Sequence, residues 1–365
     1  MGVRSSASRT VRVLVLSSRL PAGGRSLTMA PLVRQIDSLR AAGVDVSSYQ
    51  VVGLPKIKYL KAIPEVRKLA RGVDLIHAHY GFCGWVARLA SDRPIVVSLM
   101  GSDLLGAPDR EGRIGFWSRW EVRSTRHLAP RVDQVIVKSV EMAAVLSGVP
   151  SHVIPNGVDI EAFRPRSRTE ARRVLGWPPD VPTVLFPGNP EHPRKAYPLA
   201  RAAVEWAQDR LGREIRLVAL RGVAPGQVAT YMNACDAMVL TSFSEGSPNV
   251  VKEAMASDLP VVSVPVGDVP HLLEDVPGCF VCSRDPEALG ERLVLVLRER
   301  PAAGGRKAVQ ARGLDLASVA ARIIKVYEAA LGSGGHPSLG TKPPDGFLDS
   351  GPRQHSLSDP TVQKA

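Results

Sequence analysis

Glu245 and Glu253 stand eight residues apart, on either side of a Gly-Ser-Pro turn. Residues 241–256 run from the end of an apolar strand, through that turn, into a helix starting near Pro248, since proline is favoured at the first helical position. The N–H groups of a helix start have no intrahelical partner, and with the positive end of the helix dipole they attract phosphate oxygens. Glu253 falls about two turns into the helix, away from the phosphate pole, where a carboxylate can accept hydrogen bonds from ribose hydroxyls. Glu245 can do the same for the hydroxyls of a sugar. The pattern is one for gripping a phosphorylated, hydroxyl-rich molecule.

Such residues need a scaffold, and the rest of the chain spells one out. Short apolar runs at 11–16, 44–53, 73–77, 95–99 and 132–137 alternate with helical patterns at 28–42, 59–70, 84–90, 116–128 and 141–146. Residues 151–165 lack a period and read as a linker. The alternation then restarts, with strands at 183–186, 215–220, 237–241, 261–264 and 280–281 and helices between them, ending in a helix at 316–331. Alternating strands and helices specify parallel sheets covered on both faces. We therefore expect an α/β chain of two Rossmann-like, doubly wound domains, 10–160 and 161–312, facing each other across a cleft. A helix at 313–331 should return to the first domain, and residues 332–365, rich in Gly, Pro and Ser, should form a disordered tail. Ligands of such sheets bind beyond the carboxyl ends of the strands, so the cleft is the expected site.

Composition narrows the class further. At 365 residues the chain is too long for one core, and 44% hydrophobic with 22% charged residues excludes wholesale disorder. The net charge of +12 favours anionic partners. Four cysteines are too few for a disulfide scaffold and suit a reducing compartment, so a cytoplasmic location is expected. Cys279 and Cys282 form a C-x-x-C in a strand, where the two thiols point to opposite faces, and read as packing. His77 and His79 share a strand face without a third metal ligand in view. No D-x-D pair holds a cation, and no G-x-G-x-x-G follows the first strand. Aromatics are only 5%, with no platform for nucleic acid, so nucleic acid is not an expected partner.

The segment at 241–256 resembles the E-x7-E signature of retaining family-4 glycosyltransferases of the GT-B fold. Further pieces match in order: Gly23-Gly24, His77-Ala78-His79, Gly101-Ser102-Asp103, residues 153–159, Phe186-Pro187-Gly188, Arg194-Lys195, and residues 260–270. The closest flavour is a bacterial branch that builds cell-surface polysaccharide, of the teichuronic-acid type. The resemblance implies that Lys195 sits on the donor diphosphate, Glu253 holds the ribose and Glu245 contacts the donor sugar. It implies that the backbone of Gly246, Ser247, Pro248 and Asn249 meets phosphate or sugar oxygens. Gly23 and Gly24 would bring the first domain close to the diphosphate, and Asp103 would face the sugars. Two positions depart from the family: Asn189 stands where arginine is usual, a cation that Arg194 can replace, and Met100 stands where histidine is common. The implied reaction is metal-independent hexosyl transfer, with retention, from a nucleotide-sugar donor (UDP before GDP) to a glycan, lipid-linked or small-molecule acceptor. The nucleotide sugar is a substrate, and no resident cofactor is expected. A sugar-nucleotide epimerase on the same fold is the enzymatic alternative, and a basic nucleic-acid-binding protein the non-enzymatic one. The basic stretch Lys56, Lys58, Lys61, Arg67, Lys68 and Arg71 suggests peripheral contact with an anionic membrane.

Overall fold

A computed structural model of the chain describes residues 10–18, 30–54, 57–106, 113–301 and 304–332. Six parallel strands form the first sheet: β1 (Arg12–Ser17), β2 (Asp45–Gln50), β3 (Leu75–His79), β4 (Ile95–Ser98), β5 (Gln134–Val137) and β6 (His152–Val153), in the order β2-β1-β3-β4-β5-β6. The second sheet has five: β7 (Thr183–Phe186), β8 (Arg216–Ala219), β9 (Ala237–Leu240), β10 (Val261–Ser263) and β11 (Phe280–Val281), in the order β11-β10-β9-β7-β8. Counted within its own domain, the second sheet runs 2-1-3-4-5 and the first the same with a sixth strand added, the doubly wound order whose direction reverses between its first and third strands. Those reversals fall at β1/β3, where Val13 pairs with Leu75, and at β7/β9, where Val184 pairs with Ala237. All residues of β3, β7 and β9 are buried, as strands covered on both faces must be.

One apolar cluster fills the second domain and two fill the faces of the first sheet. Helix Leu316–Gly332 belongs to the last of these: Val319, Ile323, Val326 and Tyr327 pack with Val13, Val15, Val96 and Ile136. The fold is therefore the expected pair of Rossmann-like domains, with the last helix returned to the first. Where that helix crosses back, Val158 and Asp315 form a parallel bridge, and Leu316 N–H donates to Val158 O at 3.1 Å. The two chain crossings between domains thus lie side by side.

Local differences from the sequence reading have simple causes. Residues 151–165 are not all linker, because His152 and Val153 continue the sheet as β6 beside β5. A helix at Arg168–Leu175 was not anticipated, although Ser167 caps it by accepting from Glu170 N–H and Gly176 ends it in a left-handed turn. Of the anticipated tail, residues 332–365, Gly332 ends the last helix and residues 333–365 lie outside the described residues.

Candidate functional site

The chain leaves β7 through Pro187 and Gly188 and makes one 3-10 turn, Pro193–Lys195. Ala196 follows with φ +48° and ψ +48°, a left-handed conformation that costs an L-residue about 1–2 kcal/mol. The reversal lays the Lys195 stem over Gly188, where an added Cβ would come within 3.2 Å of Lys195 Cε. Lys195 Nζ then donates to Glu245 Oε1 at 2.7 Å, and Arg194 pairs with Glu245 Oε2 at 2.9 Å. Burial pushes the Glu245 carboxyl up, but Lys195 and Arg194 outweigh it and hold the group below its ordinary value. Backbone bonds stitch this loop to the one after β9: Phe243 N–H donates to Arg194 O at 2.8 Å, and Thr241 Oγ1 donates to Lys195 O at 3.0 Å.

Helix Asn249–Ala256 starts one residue later than proline statistics suggest, with Pro248 at the cap position and no side-chain cap on its leading N–H groups among the described residues. Its tip is braced from behind. Gly267, at φ +53°, packs so closely that an added Cβ would fall 2.2 Å from Gly246 O, and Asp268 N–H donates to that same oxygen at 3.0 Å. Arg284 donates to Thr241 O and Ser242 O, both at 2.7 Å, and lies over the Phe243 ring. Ser242 Oγ, Asn249 Oδ1 and Asp268 Oδ1 are buried without a partner among the described residues. Buried polar atoms are normally satisfied, so a hydroxyl-rich ligand suits this corner.

The first domain closes over the tip. A Cβ on Gly246 would lie 4.0 Å from both Gly101 Cα and Met142 Sδ. Arg34, on helix Ala30–Ala41, reaches across and donates to Glu253 Oε1 at 2.8 Å. Burial raises the Glu253 carboxyl pKa, with Arg34 opposing the rise. Beneath the seam lie two buried lysines, Lys138 after β5 and Lys252 on the tip helix. Burial lowers them to about 7 and about 8, and the charge of Lys252 adds to the lowering at Lys138. Lys252 Nζ donates to Ser247 Oγ at 2.9 Å, fixing a side chain of the turn.

Two sequence families meet this geometry. Residues 7–162 match the family described as Glycosyltransferase Family 4, and residues 182–299 match Glycosyl transferases group 1. The chain is a glycosyltransferase of the GT-B type. It is 29% identical to a D-inositol 3-phosphate glycosyltransferase of Xylanimonas cellulosilytica, over 70% of this chain and 72% of that one. It is 30% identical to TuaC of Bacillus subtilis, named as a teichuronic acid biosynthesis glycosyltransferase, over 60% of each. Among solved structures, HepE of Anabaena in complex with UDP-glucose superposes with a TM-score of 0.63 at 19% identity, covering 87% of this chain and 99% of that one.

Within this glycosyltransferase, the structure brings Arg194, Lys195, Glu245, the 246–249 turn and Glu253 to one corner of the cleft. Asn189 stays exposed, its Oδ1 accepting from Glu191 N–H in its own turn, while Arg194 holds the place beside Lys195. Asp103 departs from expectation. Its side chain is fully buried and accepts from the N–H groups of Gly81, Met100 and Gly101 at 3.1, 2.9 and 3.0 Å. It shapes the loop whose Gly101 faces Gly246 across the cleft, and its own oxygens are turned into the backbone. Burial raises it to about 6 against those three bonds. Next to it Tyr80 adopts φ +91°, a strained backbone of the kind that clusters at functional sites. His77 is a packing residue, bonded to Tyr327 Oη at 2.7 Å and Ser98 Oγ at 2.8 Å. Gly23, Gly24 and Lys56 lie outside the described residues. Sequence reasoning missed Arg34, Lys138, Lys252 and Arg284. Of these only Lys252 carried a signal, a lysine on the helix face shared with Val251, Met255 and Ala256.

Proposed function

We propose that the protein transfers a hexosyl group from a UDP-sugar to a glycan, lipid-linked or small-molecule acceptor, without a metal and with retention. The observation that carries this is the corner where Lys195 and Arg194 converge on Glu245, beside the uncapped tip of helix Asn249–Ala256. Two fixed cations and a helix dipole supply the charge that stabilises a departing diphosphate. Glu253 takes the ribose hydroxyls and Glu245 the donor sugar, while the buried acceptors Asn249 Oδ1 and Asp268 Oδ1 add partners for hydroxyl groups. An acceptor hydroxyl oxygen attacks the anomeric carbon from the face the diphosphate leaves. The bond from that carbon to the phosphate oxygen breaks, and the acceptor proton passes to the departing phosphate. No enzyme nucleophile is needed, so catalysis is positioning plus charge stabilisation. The co-crystallised UDP-glucose of HepE supports the choice of uridine; the name of TuaC supports a glycan acceptor, and those of the inositol-phosphate enzymes a small hydroxyl-bearing one.

A thermal-shift screen against nucleotides and nucleotide sugars tests this reading, because a ligand of the folded state raises the melting temperature. UDP and UDP-sugars should stabilise the wild type and not Glu253→Ala. Lys195→Ala should still bind UDP but turn over about a hundred- to a thousandfold more slowly. Equal turnover by Lys195→Ala, or stabilisation of Glu253→Ala by UDP as in the wild type, would overturn the assignment.

A further inference from the structure

The first domain carries a second feature that the donor corner does not use. Helix Gly81–Ala90 packs between helix Ile57–Ala70 and helix Phe116–Leu128, and the three leave an apolar groove of about 380 Å³, walled by Ile57, Leu60, Phe82, Trp85, Leu89 and Trp120. Aromatic rings continue along its edge: Tyr59 lies 5.1 Å from Phe82, Phe82 5.7 Å from Trp120, and Trp120 6.5 Å from Trp117. These side chains face outward, with Leu60 67%, Trp117 62% and Trp120 47% exposed. A water-soluble face rarely displays so contiguous an apolar patch without a partner.

The flanking charge identifies the partner. The two outer helices carry Lys58, Lys61, Arg67, Lys68, Arg119, Arg123 and Arg126 against only Glu65 and Glu121. Tryptophan and leucine beside lysine and arginine are the composition of a surface that lies in the headgroup region of a bilayer. Ile57, Leu60 and Leu89 in the walls offer acyl chains an apolar seat. No described helix is long and apolar enough to cross a membrane, so contact would be lateral. Phe82, in the wall of the groove, directly follows Gly81, whose N–H donates to Asp103 in the loop after β4.

We propose that this face docks the enzyme on an anionic bilayer, with Trp117, Trp120 and Leu60 inserted and the basic residues on the headgroups. The sequence pointed only to the basic helix; the folded chain adds the aromatic half from a helix some sixty residues away. Docking brings the first domain, and with it one wall of the cleft, to the bilayer surface. It thus deepens the proposed transfer, on which that part rests, by favouring a lipid-linked acceptor.

Flotation of the full chain with phosphatidylcholine vesicles, with and without phosphatidylglycerol, tests the proposal. The wild type should float with the anionic vesicles only, lose them at high salt, and show a blue shift of tryptophan emission. Trp117→Ala/Trp120→Ala and, separately, Lys58→Glu/Lys61→Glu should each weaken partition by on the order of tenfold or more. Both should keep the wild-type melting temperature and its UDP-induced shift, since these residues stand apart from the donor corner. Loss of the UDP shift in the wild type itself would count against the transfer reading and leave docking to the vesicle result. Equal binding to neutral vesicles, or none to anionic ones, overturns the proposal. So does a dimer in light scattering that either pair of substitutions dissolves, or an oligonucleotide that binds this face instead.

Discussion

Replacing Arg34 by alanine isolates the contact that ties the two domains at the donor corner. The Arg34–Glu253 pair is 2.8 Å long, with side chains 20% and 13% exposed. At an effective dielectric of about 20 the gross attraction at that distance is about 6 kcal/mol, most of which desolvation cancels. Exposed pairs are worth about 0–1 kcal/mol, while orphaning one member of a buried pair costs about 3–5 kcal/mol. For this largely buried pair we take about 2 kcal/mol, a shift of about thirtyfold in the domain equilibrium. Without Arg34, Glu253 can regain water only if the cleft opens. Arg34→Ala should therefore enlarge the radius of gyration in small-angle scattering and slow donor turnover by up to that factor. UDP affinity by calorimetry should hold within about threefold or improve, because the ribose no longer competes with a guanidinium. A UDP affinity that falls in step with the rate would show that Arg34 belongs to the nucleotide pocket and does not bridge the domains. Unchanged scattering and rate would show that the pair bridges nothing.

Gly267→Ala should cost at least tenfold in donor turnover, because its Cβ must displace the carbonyls of Gly246 and Glu245. Gly212→Ala, at a similar positive φ but with open space around it, should lose only about 1–2 kcal/mol of stability and keep its activity. The buried lysines make stability depend on pH. Lys138 and Lys252 titrate at about 7 and about 8 when folded, against 10.5 as the ordinary value. Between those values the folded protein binds fewer protons than the unfolded chain, so their contribution to stability rises with pH. Melting temperatures taken upward from pH 7 should show a rise that Lys138→Met flattens; an identical slope in that variant would contradict the assignment. Asp103 acts in the other direction. Raised from 3.8 to about 6, it binds more protons folded than unfolded, so stability should fall as pH climbs from 4 to 6, and less steeply in Asp103→Asn.

Regular periodicity made the scaffold readable. Strands such as Arg12–Ser17 and Ile95–Ser98 announced themselves as short apolar runs, and the turn at Gly246–Pro248 exposed the helix tip at once. Most of the residues that stayed hidden take their meaning from segments distant in sequence. Arg34 sits on an ordinary amphipathic helix, and nothing near it in sequence mentions Glu253, 219 positions away. Asp103 was misread for the same reason: a carboxylate after a strand looks ligand-facing until the backbone of Gly81 folds over it. The missed helix Arg168–Leu175 was legible, with Ser167 and Glu170 in capping order and Gly176 at its end, but it stood beside a stretch taken for linker.

The parallel bridge between Val158 and Asp315 bears on how the enzyme can be cut and recombined. The opening half of the polypeptide is not a transplantable module, since its sheet is roofed by side chains encoded at the far end, Tyr327 and Val319 among them. A chimaera that swaps the first domain must import residues 316–332 together with the opening half. A fragment ending near residue 160 would expose bare β1, β4 and β5, and aggregation would be its ordinary fate.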